Sequence, residues 1–232
     1  MRAEDESVVR GLNLFADMAP ANFAELMHGA YFQRFPPHVQ LIAEGDPADF
    51  LYVVVDGGVE LFARANNREA TMAILRPVST FILAAVLREA VYLMSARTME
   101  ASRLLMIPSE NIHIMLARDA DFARAIVREL ATCYRSVIKA LKDQKLRTAV
   151  ERLANYILRE HEKQGGDGEL HLRSDKRTLA ALLGMTPENL SRAFNTLRPY
   201  GVAVDGRSVR VSKLPDLITL AKPTPLIDDP RS

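Results

Sequence analysis

Residues 176–213 read KRTLAALLGMTPENLSRAFNTLRPYGVAVDGRSVRVSK. Leu179, Leu182 and Leu183 recur at helical spacing and stop at Gly184, a residue free to take the positive φ that ends a helix. Thr186 then offers an N-cap hydroxyl, and Pro187 suits the first helical position because its missing N–H needs no partner there. From that point Leu190, Phe194 and Leu197 form a single apolar stripe. Farther on, Val204 to Val211 around Asp205-Gly206 predicts two short strands joined by a two-residue loop. Helix, turn, helix and hairpin in this order are the plan of a winged helix-turn-helix.

The stripe leaves Glu188, Asn189, Ser191, Arg192 and Asn195 on the outer face of the second helix or its flanks. In a recognition helix the N-terminal half meets base edges in the major groove, where Arg suits the O6 and N7 of guanine and Glu suits the N4 of cytosine. Glu188, Ser191 and Arg192 are therefore the candidate base readers. Arg173, Lys176, Arg177, Thr186, Asn189, Asn195 and Arg207 are candidate contacts to the DNA backbone, which fix register without reading sequence. The partner expected on this reading is double-stranded DNA.

With 232 residues, 48% of them hydrophobic, the chain is long enough for two modest cores. Thirty basic residues nearly balance 29 acidic ones, yet residues 147–222 hold 13 Lys and Arg against nine Asp and Glu. That local surplus points toward a nucleic-acid partner. No apolar run approaches the ~20 residues of a membrane span, and MRAEDESVVR lacks the apolar core of a signal peptide. A cytoplasmic protein with no membrane partner is expected. The one cysteine, Cys133, cannot form an intramolecular disulfide, a Cys₄ or Cys₂His₂ zinc site or a self-contained iron–sulfur cluster. Catalysis is not expected, because the chain has no phosphate-binding glycine loop, nucleophile elbow, metal-binding histidine pair or close carboxylate pair.

Residues 31–108 are extended in character, with runs such as Leu51-Tyr52-Val53-Val54-Val55 and Val59-Glu60-Leu61-Phe62 punctuated by glycine. Asp119 to Gln144 contains neither Gly nor Pro, which predicts one long helix. Along it Ala123, Ile126, Leu130, Cys133, Val137 and Ala140 repeat in steps of three and four, the spacing of a dimer seam. A second stripe, Phe122, Tyr134, Ile138 and Leu141, is available to pack on the extended unit. The expected segments are a sensor domain at 1–117, a dimerisation helix at 118–146, the DNA-binding domain at 147–222 and a disordered proline-rich tail at 223–232.

Taken together, the segment Glu44–Leu61, EGDPADFLYVVVDGGVEL, and the recognition segment TPENLSRAF resemble the CRP/FNR superfamily of transcription regulators over nearly the whole chain. The first is similar to the β-roll signature of cyclic-nucleotide-binding domains, with Gly45 and Gly57 at tight corners. The second is similar to the FNR-type pattern E-x-x-S-R, carried by Glu188, Ser191 and Arg192. The resemblance implies an α+β chain with an N-terminal β-roll, a long dimerisation helix and a C-terminal winged helix-turn-helix. It further implies a homodimer on a palindrome with TTGAT-like half-sites, with RNA polymerase as a further partner. The absence of a cysteine cluster resembles the NnrR/DNR-like branch, which implies a response to nitric oxide or low oxygen.

The family's nucleotide-binding members hold a cyclic phosphate with a Gly-Glu pair and a later Arg-Ser pair. Here the first is replaced by Leu83-Ala84 and the second falls at about Tyr92-Leu93, so no cyclic nucleotide is expected. Arg88 and Arg97 are the nearby cations. The remaining candidate effector pocket is apolar, formed by Leu83, Val86, Leu87, Tyr92, Leu93 and Met94. It would either receive a flat ligand such as haem or be filled by its own side chains. His28, His38, His113, Met94 and the chain terminus are the open choices for an iron ligand. The alternative is a regulator without an effector, controlled by its abundance or by oxidation of Cys133.

Overall fold

The computed structural model describes residues 3–66 and 68–229. The chain divides into two compact units, Met1–Cys133 and Tyr134–Ser232. Helices α1 (Ala3–Arg10) and α2 (Pro20–Leu26) open the first unit. Strands β1 (Tyr31–Phe35), β2 (Gln40–Ile42), β3 (Phe50–Asp56), β4 (Val59–Ala65), β5 (Arg68–Leu75) and β6 (Ser79–Phe81) follow. After α3 (Leu83–Arg88) come β7 (Ser95–Thr98), β8 (Ser102–Pro108), α4 (Ser109–Arg118) and α5 (Ala120–Leu146). The strands make two antiparallel four-stranded sheets, ordered β1-β8-β3-β6 and β2-β7-β4-β5. This is the expected β-roll, and its strands begin at Tyr31 and end at Pro108.

The roll turns where glycine permits. Gly57, between β3 and β4, has φ +86°, and a Cβ there would lie 2.4 Å from Ser102 Oγ and 2.6 Å from the Ala101 carbonyl. No other residue fits that corner without moving backbone. The core combines the strand residues Leu51, Val53, Leu104, Leu105 and Ile107 with Phe15 from the turns between α1 and α2 and Phe122 from α5. Phe15 stacks on Phe122 at 6.3 Å between ring centres.

Asp119 starts α5. Its backbone is extended, and Oδ1 accepts from the N–H of Phe122 at 2.9 Å while Oδ2 accepts from the Asn22 amide at 2.8 Å. Burial pushes this carboxyl up, but those hydrogen bonds hold it below the ordinary aspartate value. The helix then distributes its apolar residues differently from the expected seam. Ile126 is buried in the roll core at 2% exposure, with Phe122 fully buried beside it and Leu130 packed against the same cluster. Ile126 is therefore not a seam residue and Leu130 is only half available. Conversely Tyr134 and Leu141, expected on the roll, are exposed, as are Val127, Cys133, Val137 and Ala140. Both stripes satisfy helical periodicity, and the sheet surface selects the bulkier pair at the N-terminal end. The division between units consequently falls inside α5, not at its ends.

In the second unit α6 (Ala149–Lys163) begins at a capping box, Thr148 accepting from the Glu151 N–H and Glu151 accepting from that of Thr148. It is followed by β9 (Glu169–His171), α7 (Lys176–Leu182), α8 (Pro187–Leu197), a 3₁₀ turn (Arg198–Tyr200), β10 (Val202–Asp205), β11 (Ser208–Val211) and α9 (Leu214–Ala221). Strands order as β10-β11-β9. The core gathers Leu153, Ala154 and Ile157 of α6, Leu179 of α7, Leu190, Phe194 and Leu197 of α8, and Val209 of β11. The tail departs from expectation: α10 (Pro225–Asp228) is helical, with Ile227 buried and Asp228 ion-paired to Arg147 and Arg159. A disordered tail is thus excluded for residues 223–229, and residues 230–232 lie outside the described residues. No helix among the described residues is long and apolar enough to cross a membrane.

Candidate nucleic-acid interface

The turn between α7 and α8 is built from local chemistry. Asp175 caps α7, accepting from the Thr178 N–H at 2.7 Å, and Thr186 caps α8, accepting from the Asn189 N–H at 3.2 Å. Gly184 between them has φ +62°, and a Cβ there would press on the Gln144 amide at 2.7 Å. Beneath the turn lies Arg152, a buried arginine that sequence reasoning missed. Its Nε donates to the Leu183 carbonyl at 2.9 Å, Nη2 to that of Gly184 at 3.4 Å and Nη1 to that of Arg147 at 2.8 Å. One guanidinium thereby satisfies carbonyls left over at the end of α7. Nothing in the sequence separates Arg152 from its surface counterparts, since burial of a charge is a property of the assembled fold. The Asp175 cap was missed as well, and an aspartate three residues ahead of Thr178 is the local signal that would have found it.

On α8 the residues Leu190, Ala193, Phe194 and Leu197 are buried, leaving Glu188, Asn189, Ser191, Arg192 and Asn195 exposed together on the opposite side. The three expected base readers share that face. Glu188 is held below the ordinary glutamate value by hydrogen bonding to its own N–H and the Thr186 hydroxyl, with Arg192 adding attraction. It is an ionised acceptor at neutral pH, as the amino group of cytosine requires. Ser191 Oγ donates to the Pro187 carbonyl at 3.0 Å, which points its lone pairs away from the helix core.

The backbone candidates divide by what already holds them. Lys176 and Arg177 are exposed in the first turn of α7, and Asn189 and Asn195 are exposed on α8. Arg207 is exposed at the wing tip, where Asp205 pairs with Ser208, so the loop is Gly206-Arg207, one residue later than expected. Gly206 carries the positive φ, +57°. Arg173 is partly engaged, its Nε 4.0 Å from Glu160 Oε2. Thr186 has its hydroxyl turned to the α8 N-terminus as a cap.

In the first unit the expected pocket residues separate. Leu83, Val86 and Tyr92 are buried members of the core, Leu87 and Met94 pack against it, and Leu93 stands 78% exposed on a bend. Leu93 is therefore not a pocket residue. The Tyr92 phenol is pushed up to about 12, chiefly by burial and then by Tyr52. Arg97 is consumed by a carboxylate network, Nε on Glu60 at 2.7 Å and Nη2 on Glu69 at 2.9 Å, with its guanidinium 4.3 Å from the Phe62 ring centre. It offers a phosphate no uncompensated charge. None of the three candidate histidines is buried. His28 and His38 are exposed, and Nε2 of His113 lies 3.0 Å from the Val86 carbonyl, with Glu89 at 3.8 Å. Met94 is half-buried against the core, and the first two residues of the chain lie outside the described residues. Cys133 is exposed, and partial desolvation with the Glu129 carboxylate pushes its thiol up, away from the reactive thiolate.

Known proteins match this arrangement in both units. The cyclic nucleotide-binding domain family matches residues 32–119, and the Crp-like helix-turn-helix domain family matches residues 151–220. The CRP-like cAMP-activated global transcriptional regulator of Mycobacterium tuberculosis is 25% identical over 214 residues, spanning 90% of this chain and 95% of that protein. The transcriptional activatory protein AadR of Rhodopseudomonas palustris is 26% identical over 209 residues, 84% of this chain and 83% of that one. FixK2 from Bradyrhizobium japonicum has the same fold, with a TM-score of 0.72 at 21% identity over 84% of this chain and 98% of its own.

Proposed function

We infer that this chain, whose two domains match the cyclic nucleotide-binding and Crp-like helix-turn-helix families, is a transcription regulator of the CRP/FNR type that acts as a homodimer and reads a palindrome with TTGAT-like half-sites. Glu188, Ser191 and Arg192 are its base readers. The observation that carries this reading is the capped N-terminal half of α8, which presents all three on one exposed face above a fully packed stripe. Lys176, Arg177 and Arg207 supply phosphate contacts, and the exposed apolar residues Val127, Tyr134, Val137 and Leu141 supply the surface on which a second copy packs.

The activating ligand is not a cyclic nucleotide. Ala84, which has no carboxylate, stands where the nucleotide binders carry a glutamate, and Arg97 is already neutralised by two carboxylates. The response to nitric oxide or low oxygen, and the contact with RNA polymerase in the cytoplasm, are carried by the resemblance to the cluster-lacking branch. Haem is disfavoured as the vehicle by the placement of the three histidines. A second reading, control by abundance without an effector, is favoured by the way Leu83, Val86 and Tyr92 fill the core themselves. Control through Cys133 is disfavoured by its raised pKa.

The test is binding of the purified protein to a TTGAT palindrome at one fixed salt concentration, alone, with cyclic AMP, and with haem followed by nitric oxide. Unaided specific binding that cyclic AMP leaves unchanged is the expected result. Binding that appears only with cyclic AMP contradicts the ligand assignment, and a stoichiometric haem band whose gas-bound form changes DNA affinity restores haem.

A further inference from the structure

The last described residues are tied into the corner where α5 ends and α6 begins. Asp228, 12% exposed, accepts from Arg147 through both oxygens, at 2.9 and 2.5 Å, and from Arg159 Nη1 at 2.9 Å. Its second oxygen also accepts from the Thr224 N–H at 2.8 Å, closing the 224–228 turn on itself. Arg147, 6% exposed, gives its other contact to Asp143 of α5 at 2.8 Å. Lys139 of α5 donates to the Asp229 carbonyl at 2.6 Å. Residues 224–229 thus hold α5 through Lys139 and, by way of Arg147, Asp143, and hold α6 through Arg159. The backbone carbonyl of Arg147 in turn accepts from Arg152, the same guanidinium that caps Leu183 and Gly184 at the recognition turn.

We infer that Asp228 is a positioning residue for DNA reading: it clamps the α5–α6 corner and, through Arg147 and Arg152, fixes how α6 and the α7–α8 turn sit against the C-terminal part of α5 within the second unit. The inference rests on the DNA-binding reading above. Two features argue for a clamp over a passive tail. A bidentate arginine–carboxylate pair with a second arginine on the same carboxylate has one low-energy geometry. The three cationic partners, at 139, 147 and 159, also lie before, at and after the corner, so the segment cannot keep its contacts if the corner opens.

The experiment compares full-length wild type, D228N and a chain ending at Lys222. For each, affinity for the palindrome and for a scrambled duplex is measured at one salt concentration, below the melting temperature of every variant. Amide exchange is followed across residues 145–152. Replacing Asp228 by Asn removes a negative charge, which by itself strengthens non-specific binding to phosphates. The clamp predicts the opposite for the specific site: a fall on the order of ten-fold in palindrome affinity, an unchanged or tighter scrambled duplex, and faster exchange at 145–152. A folded D228N protein with the wild-type ratio of specific to non-specific affinity and wild-type exchange overturns the clamp, and so does a folded chain ending at Lys222 that keeps both. Wild type that does not distinguish the two duplexes refutes the DNA reading instead, and exchange at the corner then decides the clamp alone.

Discussion

Two amphipathic helices of this protein, α8 and α5, carry equally regular apolar spacing, and only one has a buried face that follows directly from it. In α8 a single stripe, Leu190, Phe194 and Leu197, is the buried one. In α5 two stripes compete, and the roll takes Phe122 and Ile126 while Tyr134, Val137 and Leu141 face outward. Periodicity therefore assigns a buried face when only one is available. With two, the assignment depends on the surface each meets, which lies far away in sequence. The same contrast separates caps from clamps: Thr186 caps its own helix three residues on, whereas Asp228 answers Arg147 from 81 residues away.

The largest effects should come from the two buried stripes. Phe194→Ala, which removes a buried ring of α8, is expected to destabilise the second unit by about 3–5 kcal/mol in urea unfolding. A cost under about 1 kcal/mol would place Phe194 outside the core. Ile126→Ala should cost about 2–5 kcal/mol in the first unit, while Val137→Asp, at a position 63% exposed, should leave monomer stability within about 0.5 kcal/mol. In sedimentation the second should dissociate the dimer and the first should not. Reversal of this pair would reinstate Ile126 as the seam.

Smaller effects probe α8 itself. Arg192→Ala should lose about 1–3 kcal/mol of specific affinity and relax the choice at one base pair, measured on single-substitution duplexes. A uniform loss across all sequences would make Arg192 a phosphate contact. Thr186→Ala should cost about 0.5–2 kcal/mol of stability, and Thr186→Ser should recover most of it if the hydroxyl cap is the cause.

The capping carboxylates predict a pH dependence. The Thr148 N–H holds Glu151, and the Thr178 N–H holds Asp175, below their ordinary values. Because the folded value is depressed, this stability is fully present above the unfolded value, roughly 4, and is lost as pH falls through the folded one. Urea midpoints of the second unit should be flat near neutrality and decline below that point. Asp175→Asn should flatten part of the decline, and an unchanged slope would show that the cap contributes nothing.

Much of the DNA-facing half was legible because its signals are local. Gly184, Thr186, Pro187 and the Leu190 stripe each act within a turn or two, and the three candidate base readers fell on one exposed face. The roll's extent was equally legible from its strand runs and from Gly57. Apart from the Asp175 cap, what escaped was non-local. Ile126 was drawn to the sheet, Leu93 turned out on a bend, Arg152 was buried under the recognition turn, and the proline-rich tail was ordered by Asp228. Proline spacing marks where a chain cannot continue a helix; it does not reveal a partner for an aspartate in another element.

The central claim, that α8 reads a specific palindrome, is tested most directly by titrating the full-length protein with a TTGAT palindrome and with a scrambled duplex of equal length at one salt concentration. A ratio of about a thousand-fold or more is predicted, within the usual range for specific sites, falling sharply when Glu188, Ser191 and Arg192 are replaced together by alanine. Equal affinity for both duplexes, or a ratio unmoved by the triple replacement, would contradict it.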